Sequence, residues 1–276
     1  MKFKYVFIVF LLISLSVIVY YVFKNQGKSI EDKDTGAIVH QQGLRVNENN
    51  LTTHNDSTVH VVKGEFIQHQ FYSISYSEEH EQPYWVKYTL TRKMLENPVA
   101  KRKDNFRSDP MISTGSAELA DYKGSGYDRG HLCPAKDMES SITAMSESFY
   151  MSNMSPQHPS FNRGRWKQLE DQVRKWTFEY DSVIVYCGGV LDSLDGYIGP
   201  NYVGVPKYYY KVIYAPNKTE KAISFVMPNK KCEHNLKYYT VSVDSVEKFT
   251  HIDFFSEFPV DFQQEFESSI SFSSWF

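Results

Sequence analysis

The stretch GSGYDRGHLCPAKDM, residues 124–138, places an acid, an arginine and a histidine within four positions, from Asp128 to His131. Gly124, Gly126 and Gly130 argue against a helix, since each glycine costs about 1 kcal/mol in a helix interior. His131 therefore belongs to an extended or turn segment. On those residues alone it reads as a general base, a metal ligand or a satisfied core residue. Asp128 and Arg129 read as an ion pair, and His131 with Cys133 makes no metal site without further ligands.

Downstream, NRGRWKQLEDQVRKWTFEY begins at Asn162 and places Trp166, Leu169, Val173 and Trp176 at helical spacing on one side. Lys167, Asp171, Arg174 and Lys175 fall on the other. At 100° per residue, Asn162 lies in the middle of the apolar stripe and Glu170 at its edge. Either Asn162 is the helix N-cap, or its amide is turned toward a site. YMSNMSPQHPSFNRGRWKQLE also offers Asn153 and Gln157, so carboxamides and a carboxylate with oxygen donors suited to a hard cation gather in one segment.

Those groups suit hydrolysis of a phosphodiester. A neutral imidazole takes the proton of an attacking water. A guanidinium braces the phosphate with two hydrogen bonds. Hydrated Mg2+ neutralises the leaving oxyanion. His131, Arg129 and the region of Asn162 supply or hold these parts.

The surroundings set further bounds. The chain has 276 residues and a net charge of −3, so no global field draws it to polyanions. Its aromatic residues, many of them tyrosine, favour strands. HQFYSISYS (69–77), YWVKYTLT (84–91), VIVYCGGVL (183–191), YYYKVIYAP (208–216) and KAISFVMP (221–228) read as strands, with EEHEQP as a turn between the first two. RKMLENP holds a short helix stopped before Pro98, and Asp244 with Glu247 reads as a capping box opening another. Cys133, Cys187 and Cys232 have no CxxC spacing; Cys187 reads as a small core residue, and one disulfide involving Cys232 stays open.

At the N-terminus, MKFK precedes the uncharged apolar run YVFIVFLLISLSVIVYYVF, residues 5–23, long enough to span a bilayer. Residues 1–23 read as a signal-anchor or transmembrane helix, and 24–60 as a flexible polar linker. Residues 61–260 form the folded domain and 261–276 a C-terminal tail. Lys2 and Lys4 favour a cytoplasmic N-terminus, which puts the domain outside the cytoplasm; cleavage and secretion is the alternative.

YDRGHLCPAKDM, followed by SNMSPQ and FNRGRWKQLE, resembles the DNA/RNA non-specific endonuclease family, which includes endonuclease G and belongs to the ββα-metal (His-Me finger) nucleases. The resemblance runs from about residue 66 to 258 and takes in YWVKYTLT, NFRSDP, VPKYYYKVIY and VDSVEKFTHIDFF. It implies an α+β fold, a mixed, mainly antiparallel sheet core carrying a ββα-metal motif. It implies that His131 is the general base, that Asn162 ligates Mg2+ (or Mn2+), and that Glu170 holds water of the ion. Asn153 would support the histidine, and Arg129 would contact the phosphate or the ion's water shell. An upstream arginine of the family maps to Arg102 by the R-x-x-x-F spacing, with Arg107 close by. The substrates implied are DNA and RNA, cut to 5′-phosphate and 3′-hydroxyl ends. The rival reading is a membrane-tethered nucleic-acid receptor that binds without cleaving.

Overall fold

The structure, a computed structural model, describes residues 63–216, 221–268, 270 and 272–276. The apolar run of residues 1–23 and the linker 24–60 lie outside the described residues. Among the described residues no helix is long and apolar enough to cross a membrane.

In chain order the strands are β1 (Glu65–Gln68), β2 (Tyr72–Ser77), β3 (Gln82–Thr91), β4 (Asp128–His131), β5 (Met154–Gln157) and β6 (Ser182–Gly189). They continue with β7 (Leu194–Ile198), β8 (Val203–Pro206), β9 (Tyr208–Ala215), β10 (Lys221–Pro228) and β11 (Thr240–Val241). The helices are α1 (Arg92–Glu96), α2 (Leu119–Tyr122), α3 (Ile142–Glu147), α4 (Lys167–Tyr180), α5 (Val243–Thr250) and α6 (Val260–Glu267). One seven-stranded sheet runs in the order β1-β2-β3-β6-β9-β10-β11, antiparallel at every pairing. β4 pairs with β5, and β7 with β8, as separate two-stranded sheets.

The central strands are buried on both faces and lack the polar alternation of a half-exposed sheet. Period-2 geometry divides β9 between two cores. Tyr209 and Ile213 join Trp166, Leu169, Val173 and Trp176 of the long helix on one face. Tyr210, Val212 and Tyr214 join Val243 and Val246 of α5, Phe266 of α6, and Phe254 and Phe255 on the other. The result is a layered α+β domain with an antiparallel sheet at its centre.

The expected strands, the turn before β3 and α1 are present. Three local expectations change. Ser242, two residues before Asp244, caps α5: its side chain accepts the Ser245 N–H at 3.2 Å. The three cysteines are free and buried, so no disulfide involves Cys232. Residues 261–276, read as a tail, are docked: α6 carries Phe266 into the aromatic layer, and Trp275, only 3% exposed, lies 4.9 Å from Trp176. The Trp176 indole N–H donates to the Trp275 carbonyl at 2.6 Å. Aromatic docking of this kind leaves no periodicity for the sequence to show.

If the C-terminus is part of the core, Trp275→Ala should destabilise the protein by about 3 kcal/mol, the scale of a buried tryptophan truncation. Urea unfolding measures this, and an unchanged midpoint would place Trp275 outside the cooperative unit.

Candidate active site

β4 carries the DRGH sequence as an extended strand, paired antiparallel with β5 so that Asp128 faces Gln157 and His131 faces Met154. Gly124 and Gly126, at φ +72° and +84°, turn the chain into the strand. Gly130 serves close approach instead, because a Cβ there would collide with the buried Gln157 side chain. After β5 the chain enters the long helix, and α3 lies between the two paired strands in the chain.

The helix starts earlier and less regularly than its sequence pattern implies. It begins at Pro159, a residue suited to a first helical position, and the amides of Phe161 and Asn162 both donate to the His158 carbonyl at 2.9 Å. Asn162 is therefore inside the helix and is not its N-cap. Phe161–Trp166 form a wide π-type turn broken at Gly164 (φ −103°, ψ −111°), and regular α4 follows. The wide turn resets the phase. Phe161 is fully buried while Asn162 is half-buried and leaves the apolar stripe. Wide turns of this kind recur at functional sites.

Asp128 connects the strand to this turn. It accepts from Asn162 Nδ2 at 2.9 Å and from Arg163 Nε and a terminal nitrogen at 2.9 and 2.6 Å. Burial works against its ionisation, but the hydrogen bonds from Arg163 and Asn162 outweigh it and hold the carboxyl below the usual range. With the NH2 group on a carboxylate, the Asn162 Oδ1 is left as the atom that can ligate a cation.

His131 packs edge-on against Phe149 (4.9 Å) and Phe106 (5.7 Å). Each ring also carries a guanidinium: Arg102 lies 5.0 Å from the Phe149 centroid and Arg129 4.2 Å from that of Phe106. His131 Nε2 is buried and has no hydrogen-bond partner. Burial, then the charges of Arg102 and Arg129, push its pKa down to about 3. The imidazole is therefore neutral across the physiological range.

The two candidate upstream arginines differ. Arg107 is tied down: it donates to the Asn105 and Ser146 carbonyls and the Ser146 hydroxyl, and sits 4.0 Å from the Tyr150 centroid. Arg102 is exposed, bonded to Asp104, and its charge bears on His131. Asn153 is fully buried and bridges backbone on both sides of the site. It exchanges two hydrogen bonds with Cys133 (2.8 and 2.9 Å) and donates to the Ser148 carbonyl at 2.8 Å. These bonds clamp the chain that leaves β4, and the Asn153 amide is engaged there. Gln157, offered by the sequence as a possible oxygen ligand, is buried against Gly130.

Glu170 is half-buried on α4. Burial pushes its pKa up to about 7, against the pull of Lys211 and Arg174 and with the push of Asp137. The charged face expected beside it is partly internal. Arg174 reaches the buried Asp137 at 2.6 Å and Asp171 at 2.6 Å. Asn162 and Glu170 supply the oxygen donors that a hard divalent ion takes, and a carboxyl held near neutrality gains from a cation beside it. The donor set fits Mg2+. Phe149 is the residue that sequence reasoning missed. The R-x-x-x-F spacing marked Phe106, but nothing local marks Phe149 as its counterpart.

A profile of the DNA/RNA non-specific endonucleases matches residues 49–261. The chain belongs to the DNA/RNA non-specific endonuclease family. It is 35% identical over 229 residues to the mitochondrial nuclease EXOG of Danio rerio, covering 74% of this chain and 67% of that protein. It is 34% identical to nuclease C1 of Cunninghamella echinulata var. echinulata over 213 residues, 71% of this chain and 84% of that one. Among solved structures, a chain from the EndoG/EndoGI complex superposes with a TM-score of 0.66 at 32% identity, over 71% of this chain and 87% of that one. These relatives are nucleases. The family expected from the DRGH, SNMSPQ and FNRGRWKQLE segments is the one found.

The electrostatics of His131 predict a pH effect on stability. Its folded pKa of about 3 lies below the unfolded value near 6.5, so the unfolded state binds a proton over that interval and the folded state does not. The contribution is complete above pH 6.5 and is lost as pH falls toward 3, at roughly 1 kcal/mol per unit. Denaturant unfolding between pH 6.5 and 4.5 should show a steeper decline for the native chain than for His131→Ala; parallel declines would contradict a neutral, charge-loaded histidine.

Proposed function

We propose that this protein is a divalent-metal-dependent endonuclease that hydrolyses phosphodiester bonds of DNA and RNA without reading sequence. The observation that carries the reading is the unpartnered Nε2 of a neutral His131, set between two guanidinium groups on the strand that Asp128 bonds to Asn162.

In this reading Arg102 and Arg129 receive the phosphate oxygens, and His131 Nε2 takes a proton from the attacking water as its oxygen bonds to phosphorus. The 3′-oxygen leaves and takes up a proton from solvent water, giving 5′-phosphate and 3′-hydroxyl ends. Mg2+, or Mn2+ in its place, would be held by Asn162 Oδ1 with Glu170 accepting from its water shell, and supplies neutralisation of charge at the leaving oxygen. Asp128 orients Asn162, and Asn153 fixes the backbone beside the histidine. Water as nucleophile makes the 2′-hydroxyl dispensable, so both nucleic acids serve. Lys101, Arg102, Lys103 and Lys167 are exposed and suit backbone contacts that are independent of sequence.

The same reading takes residues 5–23 as an anchor holding the enzyme domain outside the cytoplasm, or as a signal cleaved on secretion. Reporter fusions after residue 60 test this, and a cytoplasmic reporter signal would overturn both forms.

Incubated with supercoiled plasmid and with structured RNA, the protein should degrade both in Mg2+ and neither in EDTA. His131→Ala should lose at least about a hundred-fold in kcat, the lower range for a general base. Binding of both substrates without cleavage in Mg2+ or Mn2+ would mean a receptor built on a nuclease fold.

The arginines separate in the same assay. Arg102→Ala should lower kcat by roughly a hundred-fold, as removal of a transition-state donor does. Arg107→Ala should keep kcat within a few-fold and show its effect in the melting temperature. The reverse pattern would assign the clamp to Arg107.

A further inference from the structure

On the face of the sheet away from α4, three carboxylates that the nuclease chemistry does not use come together. Asp244 and Glu247 stand three residues apart on α5, so they share one side of it, and Glu267 closes α6. Each offers a carboxylate oxygen, and the three oxygens lie within 4.8 Å of one another. Asp244 is exposed, Glu247 half-buried and Glu267 buried.

Like charges at a surface are common and by themselves mean little. Glu267 is different. It is 4% exposed, and its Oε1 is buried without a hydrogen-bond partner. Buried polar atoms are nearly always paired, so an orphan oxygen on a carboxylate whose group closes an acidic cluster calls for a ligand. Glu247 already accepts the Phe254 N–H at 2.9 Å through Oε1, which fixes its carboxylate toward the α5–α6 connection. The charges bearing on Glu267 are those of Glu247, Asp253 and Asp244, all negative. Burial and these neighbours push Glu267 up to about 8, and burial, Asp253 and Asp244 push Glu247 up to about 7. A cation between them would relieve both.

We infer that Asp244, Glu247 and Glu267 form a second cation site, for a hard divalent ion of the calcium class, that fastens α6 to α5. Oxygen-only carboxylate ligation at a part-exposed site suits Ca2+ better than a soft transition metal. The site is structural. It holds the C-terminal helix over the layer of Tyr214, Phe254, Phe255 and Phe266. It does not depend on the nuclease reading, since its residues lie on helices that cover the opposite face.

The test uses the full chain carrying Asn162→Ala, which removes the proposed catalytic ligand, after chelator treatment and dialysis. Added CaCl2 should raise Tm by roughly 5 °C at a hundred-fold excess over Kd, and calorimetry should report one site. Asp244→Asn, an exposed change that leaves the packing of α5 intact, should weaken the calcium affinity at least about ten-fold. Glu267→Gln should abolish the Tm rise. An unaltered Tm with CaCl2, MgCl2 and MnCl2 overturns the proposal, and so does a rise that survives in the Asp244→Asn, Glu267→Gln double variant.

Discussion

Asp128 accepts three hydrogen bonds from the turn that begins the long helix, two from Arg163 and one from Asn162. Through them the strand bearing the histidine and the helix bearing the asparagine are fixed to each other. Regular secondary structure does not do this, because β4 has four residues and, among the described residues, pairs only with β5. Asn153 secures the other end of the strand by bonding the backbone of Cys133 in both directions. Gly130 allows the two strands to close over Gln157 between those fastenings. The strand that bears His131 is thus fastened at both ends by side-chain bonds.

The charge of the site follows from that arrangement. Phe106 and Phe149 hold the histidine between their edges and present their faces to Arg129 and Arg102. Two positive charges and burial leave the imidazole neutral but weakly basic. A bound phosphate would offset those guanidinium charges, so the proton affinity of His131 would rise when substrate is present. The base would then be strongest when there is a water to activate. Basicity tied to occupancy in this way is an economical means of coupling binding to proton transfer.

The sequence carries the sheet and the helix plainly, because Val183, Val185, Tyr209 and Ile213, like Trp166, Leu169, Val173 and Trp176, recur at the period of their element. It carries His131, Asn162 and Glu170 through their motif. What it withholds depends on contacts between distant segments. Asn162 is out of place only on an ideal helix; the π turn at Phe161–Trp166 moves it, and Gly164 is the sole local hint. The R-x-x-x-F spacing favours Arg102 over the nearby Arg107, and the two separate further when Ser146 and Tyr150 are seen to occupy Arg107. Trp275 shows no pattern at all, since its place is set by Trp176 almost a hundred residues earlier. Ser242 caps α5 in place of Asp244, which frees Asp244 to face Glu247 and Glu267.

Behind the catalytic edge lies a second balance of charge. Lys211, in the middle of β9, is fully buried with its ammonium 4.6 Å from the Trp166 ring centroid. Arg174 and Asp137 are bonded at 2.6 Å and largely neutralise one another. That pairing leaves Lys211 to act on Glu170, yet burial and Asp137 still hold the Glu170 carboxyl up to about 7. One buried ammonium is therefore not enough to keep the glutamate fully ionised at neutral pH. A hard cation beside Glu170 would favour its ionised form, the direction that the metal site proposed at Asn162 requires.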